Sequence, residues 1–143
     1  MKQIDIFLSM IPPTATAQEK GINFKTKNMY QKDASSDARN KLRAYLIKHI
    51  PEEPMTGPLR MEVIWGFPET GKHQNGTWCT NKPDLDNAQK LLQDVMKELE
   101  FYPDDKNIVL LESAKLHTYH PGISIRVTQL EKNANASCFG GDL

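Results

Sequence analysis

The sequence predicts a small α/β (α+β) domain, built as a mixed four-stranded sheet with two amphipathic helices on one of its faces. Three observations support this fold class: four segments with apolar residues at period two, two segments with helical period, and a length of 143 residues, which suits one core. The order along the chain is β-α-β-α-β-β. We expect residues 1–130 to form this domain and residues 131–143, rich in Asn, Ala, Ser and Gly, to be a disordered tail.

Four segments alternate as strands with a buried side do. The first carries apolar residues at positions 4, 6, 8 and 10, and the second alternates from Leu59 to Phe67. The third, from Asn107 to His117, is apolar on both faces, which predicts a more central place in the sheet. The fourth runs from Ile123 to Val127, and the turn residues His120-Pro121-Gly122 before it predict a hairpin between the last two strands.

Two other segments have helical period. One places apolar residues at positions 38, 42, 45, 46 and 50 and stops at Pro51. The other begins at Asn87 and places them at 88, 91, 92, 95, 96 and 99. Each helix therefore has an apolar face that can pack on the sheet, and polar loops are expected from Ile11 to Lys32 and from Pro68 to Pro83.

The formal net charge is zero, but the charges are segregated along the chain. Residues 1–50 hold nine basic against four acidic side chains (+5), and residues 51–143 hold nine against fourteen (−5). The basic half is either a surface for phosphates or a solvated helix with a Lys-rich loop. No apolar run approaches the ~20 residues of a membrane span, so we expect a cytoplasmic protein without a membrane partner. Cys79 and Cys138 have no C-x-x-C spacing and predict free thiols.

The residues that could carry chemistry are concentrated between positions 84 and 105. Seven acidic side chains fall there against two lysines. Carboxylates that converge repel one another unless a cation neutralises them, and hard oxygen ligands select Mg²⁺ or Mn²⁺. The spacing does not suit an EF-hand, a thiolate zinc site or a Walker A loop.

The start of this stretch allows two interpretations. Asp86 is a natural helix N-cap, because Gln89 stands three residues later in the capping-box position. Asp84 has no such structural role. In an extended stretch after Pro83, Asp84 and Asp86 would point to the same side, where both carboxylates could reach one cation.

The remaining charged residues of this stretch also allow both a structural and a functional interpretation. Lys90 and Asp94 lie at i and i+4 and form, on the simplest interpretation, an exposed ion pair worth only ~0.3–0.5 kcal/mol. Asp104 and Asp105 open the third strand after a short turn. Sequence spacing alone does not show whether they meet Asp84.

A known nuclease family shares this spacing of residues. The chain contains Asp84-Leu85-Asp86-Asn87-x-x-Lys90-x-x-x-Asp94 and, after one helix, Phe101-Tyr102-x-Asp104-Asp105-x-x-Ile108. This pattern resembles the signature of the RusA-type Holliday junction resolvases of bacteria, phages and prophages. The resemblance covers residues 82–118, and Ile11-Pro12-Pro13-Thr14 is similar to the family's Pro-rich segment after the first strand. Ala88, Glu100 and Asn107 depart from the pattern, and Glu100 replaces a Gly that would ease a left-handed helix stop.

The resemblance implies a homodimeric, Mg²⁺- or Mn²⁺-dependent endonuclease that resolves four-way junctions by paired symmetric nicks in DNA recombination and repair. A two-fold dimer would present two identical sites to two equivalent scissile bonds. By position, the resemblance assigns catalysis to Asp84, Asp86, Lys90 and Asp105, metal binding to Asp84, Asp86, Asp104 and Asp105, and a supporting place to Asp94. For contacts with the DNA backbone we expect Lys20, Lys25, Lys27, Lys32, Lys72 and Lys82.

Two other functions stay open at the level of sequence. One is a branched-DNA-binding module that has lost cleavage. The other is a small Mg²⁺-dependent transferase that uses Asp84-Leu85-Asp86 as a D-x-D site, although the chain lacks room for a donor-binding domain. Binding of branched, linear and single-stranded DNA, compared by gel shift, would separate the three.

Overall fold

The computed structural model describes residues 2–15 and 25–134, without the side chains of residues 25–35. Its elements are β1 (Gln3–Leu8), α1 (Lys25–Leu46), β2 (Leu59–Pro68), α2 (Leu85–Glu98), β3 (Ile108–Thr118) and β4 (Gly122–Gln129). Single 3₁₀ turns, Ile47–His49 and Asp105–Asn107, follow α1 and precede β3. The predicted order and fold class are confirmed. The tail beyond residue 134, Lys20 and Cys138 lie outside the described residues.

The four strands form one mixed sheet in the order β1-β4-β2-β3. β4 is antiparallel to both of its neighbours, and β2 and β3 are parallel. The prediction that the third strand is central was therefore wrong. Its two-sided apolar pattern does not reflect burial on both faces, because Val109 and Leu111 remain 57% and 50% exposed at the sheet edge.

The predicted hairpin between the last two strands was also wrong, because β2 lies between β3 and β4. The chain leaves β3 at Thr118 and crosses the end of β2 at Gly66 to enter β4 at Gly122. A Cβ atom on Gly66 would lie 2.7 Å from Cγ2 of Thr118 and 3.1 Å from the carbonyl oxygen of Gly122. The missing side chain of Gly66 thus gives the connection room to cross.

The two helices cover one face of the sheet. Strand residues of that face and the apolar stripes of both helices form one core. Its members include Met61, Val63, Trp65, Ile123, Ile125 and Val127 from the sheet and Leu42, Leu46, Leu91, Leu92, Val95 and Met96 from the helices. Arg39 of α1 also pairs with Glu98 of α2, at 2.6 Å between Nη1 and Oε1. The opposite face is open, with Phe7 and Ile64 about half exposed.

Both helices begin earlier than predicted. α1 starts at Lys25, so the last eight residues of the expected loop to Lys32 are helical. Residues 25–37 are mostly polar and carry no apolar stripe that would have signalled a helix. Among the described helices, none is long and apolar enough to cross a bilayer.

Candidate functional site

The start of α2 differs from the prediction in a way that frees two carboxylates. Asp84 occupies the N-cap position, with extended φ and ψ of −63° and 136°, and its carbonyl oxygen accepts the N–H of Ala88 at 3.0 Å. Its side chain is exposed and makes no capping hydrogen bond. Asp86, predicted as the N-cap, lies instead in the first helical turn. Its negative charge interacts favourably there with the positive end of the helix dipole. The strand alternation expected for the two side chains therefore does not apply.

Gln89 does not complete a capping box, because the earlier helix start turns it toward the sheet. It is 4% exposed, and its Oε1 accepts the hydroxyl of Ser113 at 2.9 Å. The same hydroxyl oxygen accepts the indole N–H of Trp65 at 3.0 Å. The chain of contacts from Trp65 through Ser113 to Gln89 fixes the first half of α2 to both β2 and β3.

Lys115 holds the segment that leads into Asp84. This residue of β3 lies in register with Trp65, and its ammonium donates to the carbonyl oxygens of Asn81 and Pro83, each at 2.6 Å. Sequence reasoning missed Lys115. No clear signal pointed to it, because by alternation it shares a mixed face of the third strand with Val109, Leu111, Ser113 and His117.

A second acidic cluster lies at the other end of α2. The hydroxyl of Tyr102, a buried residue, donates to the carbonyl oxygen of Gln93 at 2.9 Å. Oδ1 of Asp105 is buried and has no hydrogen-bond partner among the described residues. Burial raises the pKa of Asp105, and the charge of nearby Asp94 raises it further. Burial likewise raises the pKa of Tyr102, with the Asp105 carboxylate adding to the effect. Asp94, Tyr102 and Asp105 are therefore close neighbours.

Two lysines flank this cluster on α2. Nζ of Lys90 lies 3.8 Å from Oδ1 of Asp94, which is the predicted i, i+4 pair. Nζ of Lys97 lies 3.5 Å from Oδ1 of Asp104. Burial alone would raise the pKa of Asp104, but the backbone N–H of Asp105 and the charge of Lys97 together hold it below its ordinary value. Asp94 and Asp104 thus each have a cationic neighbour.

The turn after α2 places Asp105 although Glu100 replaces the family's usual Gly. Glu100 adopts the left-handed conformation, with φ at 64°. Its N–H donates to the carbonyl oxygen of Lys97 at 2.9 Å, and the N–H of Phe101 donates to the carbonyl oxygen of Met96 at 3.0 Å. These are the two hydrogen bonds of a Schellman motif, which ends the helix. Asn107, the other departure in this turn, donates its amide to Gly57 O at 3.0 Å and anchors the start of β3.

The structure brings Asp94 and Asp105 together but leaves Asp84 and Asp86 at the far end of α2. Asp94 follows Asp86 by eight positions, which is about 12 Å along a helix axis. The charged groups that act on Asp105 are Asp94, Lys97 and Asp104. Within the described ranges, 2–15 and 25–134, no three His, Cys, Asp or Glu side chains form a metal-binding group. The ligands predicted for one cation are not gathered within one chain.

Of the lysines expected at DNA, Lys72 and Lys82 are exposed on the segment between β2 and α2. Lys25, Lys27 and Lys32 lie on α1, but their side chains are outside the description.

A family model described as Endodeoxyribonuclease RusA matches residues 10–128 of the chain. This chain belongs to the RusA family. Over 117 residues it is 34% identical to the crossover junction endodeoxyribonuclease RusA of Lactococcus phage r1t, and the matched region covers 80% of this chain and 89% of the relative. It is also 25% identical over 131 residues to the uncharacterized protein YqaN of Bacillus subtilis (strain 168), covering 82% and 91% of the two chains. Membership of the RusA family confirms the resemblance and makes the chain an endodeoxyribonuclease.

Proposed function

We propose that this RusA-family chain is a Mg²⁺- or Mn²⁺-dependent endonuclease that resolves four-way junctions by paired symmetric nicks. It would act in DNA recombination and repair, as one nuclease domain over residues 1–130, in the cytoplasm of a bacterial or phage-infected cell. The observation that carries the proposal is the acidic signature at the two ends of α2, where carboxylate oxygens are left without partners. The relative from Lactococcus phage r1t is named for action on crossover junctions, which supports this substrate.

The available oxygens suit a hard cation. Asp84 spends no oxygen on capping its helix, and Oδ1 of Asp105 is buried without a hydrogen-bond partner among the described residues. Buried carboxylate oxygens normally have partners, and carboxylates are the ligands that Mg²⁺ and Mn²⁺ prefer. When bound, such an ion would activate a water for attack and stabilise the charge developing on the scissile phosphate.

The separation of the carboxylates supports the predicted homodimer. Within one chain the Ser113 hydroxyl of β3 fixes α2 at Gln89, and the Tyr102 hydroxyl ties the turn after α2 to the Gln93 carbonyl oxygen. Asp86 and Asp105 therefore cannot close on one ion by a shift of α2. We propose that Asp84 and Asp86 of one subunit meet Asp105 of the partner subunit, with Asp104 in support. Two-fold symmetry would then create two such sites.

The remaining residues would bind and orient the DNA. Lys90 has a side chain 58% exposed and lies one turn after Asp86, where its charge can reach a phosphate held near the carboxylates. Asp94 orients the Lys90 ammonium through their ion pair. The free backbone N–H groups at the start of α2 can also donate to a phosphate oxygen. The lysines predicted at DNA, including Lys72 and Lys82, would contact backbone phosphates without reading sequence.

Incubation of an end-labelled four-way junction with the protein and Mg²⁺ tests the function. We expect cleavage by the wild type, no cleavage by Asp86→Asn, and full cleavage by Glu112→Gln. Glu112 makes a fair control because it is an exposed carboxylate on the open face of the sheet. An intact junction bound by the wild type would favour the cleavage-defective module, and cutting by Asp86→Asn would refute the catalytic assignment.

Mixed subunits test the shared site. Asp86→Asn and Asp105→Asn proteins are each inactive on our account. If the carboxylates come from different subunits, a heterodimer of the two variants keeps one intact site of its two. Random mixing makes about half of the dimers heterodimers, so about a quarter of the wild-type number of sites is restored. A mixture that stays inactive although heterodimers form would show that each chain builds its own site.

A further inference from the structure

Trp78 is unusually exposed for a tryptophan. Its side chain is 73% accessible, more than any other large apolar side chain among the described residues, whereas Trp65 is 1% accessible. Burying an aromatic ring of this size removes ~150–250 Å² from water. The chain leaves that gain unused at Trp78, so its position requires an explanation.

The ring is carried on fixed backbone. Trp78 pairs with Leu116 in an antiparallel bridge along the outer edge of β3. On one side the N–H of Cys79 donates to Lys115 O at 3.0 Å, and on the other the N–H of His117 donates to Thr77 O at 2.8 Å. The Trp78 ring is therefore presented to solvent from backbone that is paired with β3 rather than from a free loop.

The backbone that carries Trp78 is also linked to the segment that leads into α2. The carbonyl oxygen of Lys115 accepts the N–H of Cys79, the residue after Trp78. The side-chain ammonium of Lys115 donates to the carbonyl oxygens of Asn81 and Pro83. One residue of β3 thus fixes both the backbone that carries Trp78 and the residues that lead into Asp84. Pairing with Leu116 directs the Trp78 ring to the open face of the sheet, whereas Asp84 lies at the start of α2 on the covered face, so the two share the β3 side of the sheet but not one face.

The surroundings of Trp78 favour nucleic acid over a protein partner. Between Glu69 and Asp84 the sequence has no acidic residue but contains Lys72 and Lys82, both exposed. Along the chain, the residues from Thr77 to Lys82 are polar except for the buried Cys79, and across the bridge the ring has one apolar partner, the half-buried Leu116. A protein interface is centred on a contiguous apolar patch, whereas a base needs one flat ring with positive charge nearby for its phosphates.

We propose that Trp78 stacks on an unpaired or unstacked base of branched DNA. The faces of bases in a continuous duplex are covered by their neighbours, whereas those at an open branch point or in a single strand are accessible. The contact therefore gives the protein a preference for branched over linear DNA. The proposal rests on the proposed function for its substrate, but not on cleavage.

Fluorescence tests the stacking directly, because the chain has two tryptophans. In a Trp65→Phe variant, Trp78 is the only source of tryptophan emission. We expect a four-way junction in EDTA to quench this emission strongly, a single strand to do the same, and a linear duplex of the same sequence to have little effect. A junction that binds without quenching would refute the proposal.

Affinity gives a second test with Trp65 intact. Stacking on an aromatic ring contributes enough that Trp78→Leu should weaken junction binding roughly 5- to 150-fold, while Trp78→Phe weakens it less. Phe7→Leu, the same kind of change at a half-exposed ring on β1, at the opposite edge of the sheet, is the control and should bind as the wild type does. Equal affinity of the Leu and wild-type proteins would overturn the proposal.

Sedimentation distinguishes a contact with DNA from a contact between subunits at Trp78. If Trp78→Leu converts a dimer to monomers and loses affinity for that reason, the ring is a subunit contact and the proposal is wrong. Because both binding measurements are made in EDTA, their outcome is independent of cleavage. Quenching by a junction that the wild type then fails to cut with Mg²⁺ would refute the proposed function and leave the stacking contact standing.

Discussion

Substitution of Lys115 by Met tests whether β3 positions the start of the active site. The change keeps the unbranched stem but removes two hydrogen bonds of 2.6 Å, to Asn81 O and Pro83 O. A hydrogen bond from a charged group contributes about 1.5–3 kcal/mol, and the exposure of the Asn81 contact favours the low end. We therefore expect a loss of about 3–4.5 kcal/mol in the local order of residues 81–84.

That loss should appear in the rate of cleavage more than in binding. Displacement of a catalytic group by about 1 Å can cost ~100-fold in rate. In single-turnover cleavage of a four-way junction at saturating protein, Lys115→Met should be slower by about that factor, with nearly unchanged affinity in EDTA. It should also need more Mg²⁺ for half-maximal rate, because Asp84 is no longer held in place.

The control for Lys115→Met is Lys132→Met, which removes an exposed lysine beyond β4. Thermal unfolding shows whether both variants are folded at the assay temperature. Cleavage by folded Lys115→Met at the wild-type rate, with the same Mg²⁺ requirement, would refute the reasoning.

Three further variants test other contacts. Ser113→Ala leaves the buried indole N–H of Trp65 unpaired and should lower the free energy of unfolding in urea by about 2–4 kcal/mol; no change would show that the contact is not formed. Glu100→Gly relieves the left-handed backbone and should raise stability by about 1 kcal/mol, whereas a lower Tm would contradict the helix stop described here. The raised folded-state pKa of Asp105 means that its charged form weakens the metal-free fold at high pH, a penalty that vanishes below the ordinary Asp value of about 3.9. Asp105→Asn should therefore raise the Tm of metal-free protein at about pH 7 but not at about pH 3, and abolish cleavage; a lower Tm at pH 7 would contradict this.

Local periodicity predicted the elements and the fold class, but not how the last strands are arranged. The apolar alternation of β3 is the same whether its neighbour is β2 or β4, so the pattern could not decide between a hairpin and a crossing over β2. That choice depends on Gly66, whose role is visible only once Thr118 and Gly122 pass over it. The start of α2 was misplaced for a related reason, since Asp84 and Asp86 are both acceptable N-caps by residue type.

The candidate site was predictable in its residue types but not in its arrangement. The spacing of the acidic residues identified the family, but the carboxylates that act on Asp105 are those of Asp94 and Asp104 and not those of Asp84 or Asp86. Sequence could not show that α2 separates Asp86 from Asp105, because their distance depends on where the helix starts and how the turn at Glu100 returns the chain. Lys115 and Tyr102 hold the site through backbone carbonyl groups, which have no signature in a sequence.

Cleavage of a supercoiled plasmid that carries an extruded cruciform tests the central claim most directly. A single nick releases the supercoiling and lets the cruciform be reabsorbed, so only two nicks made within the lifetime of one complex produce linear plasmid. With Mg²⁺ we predict linear product from the wild type and uncut plasmid from Asp86→Asn. Open-circular product alone, or a cruciform left uncut by the wild type, would contradict a dimeric junction resolvase.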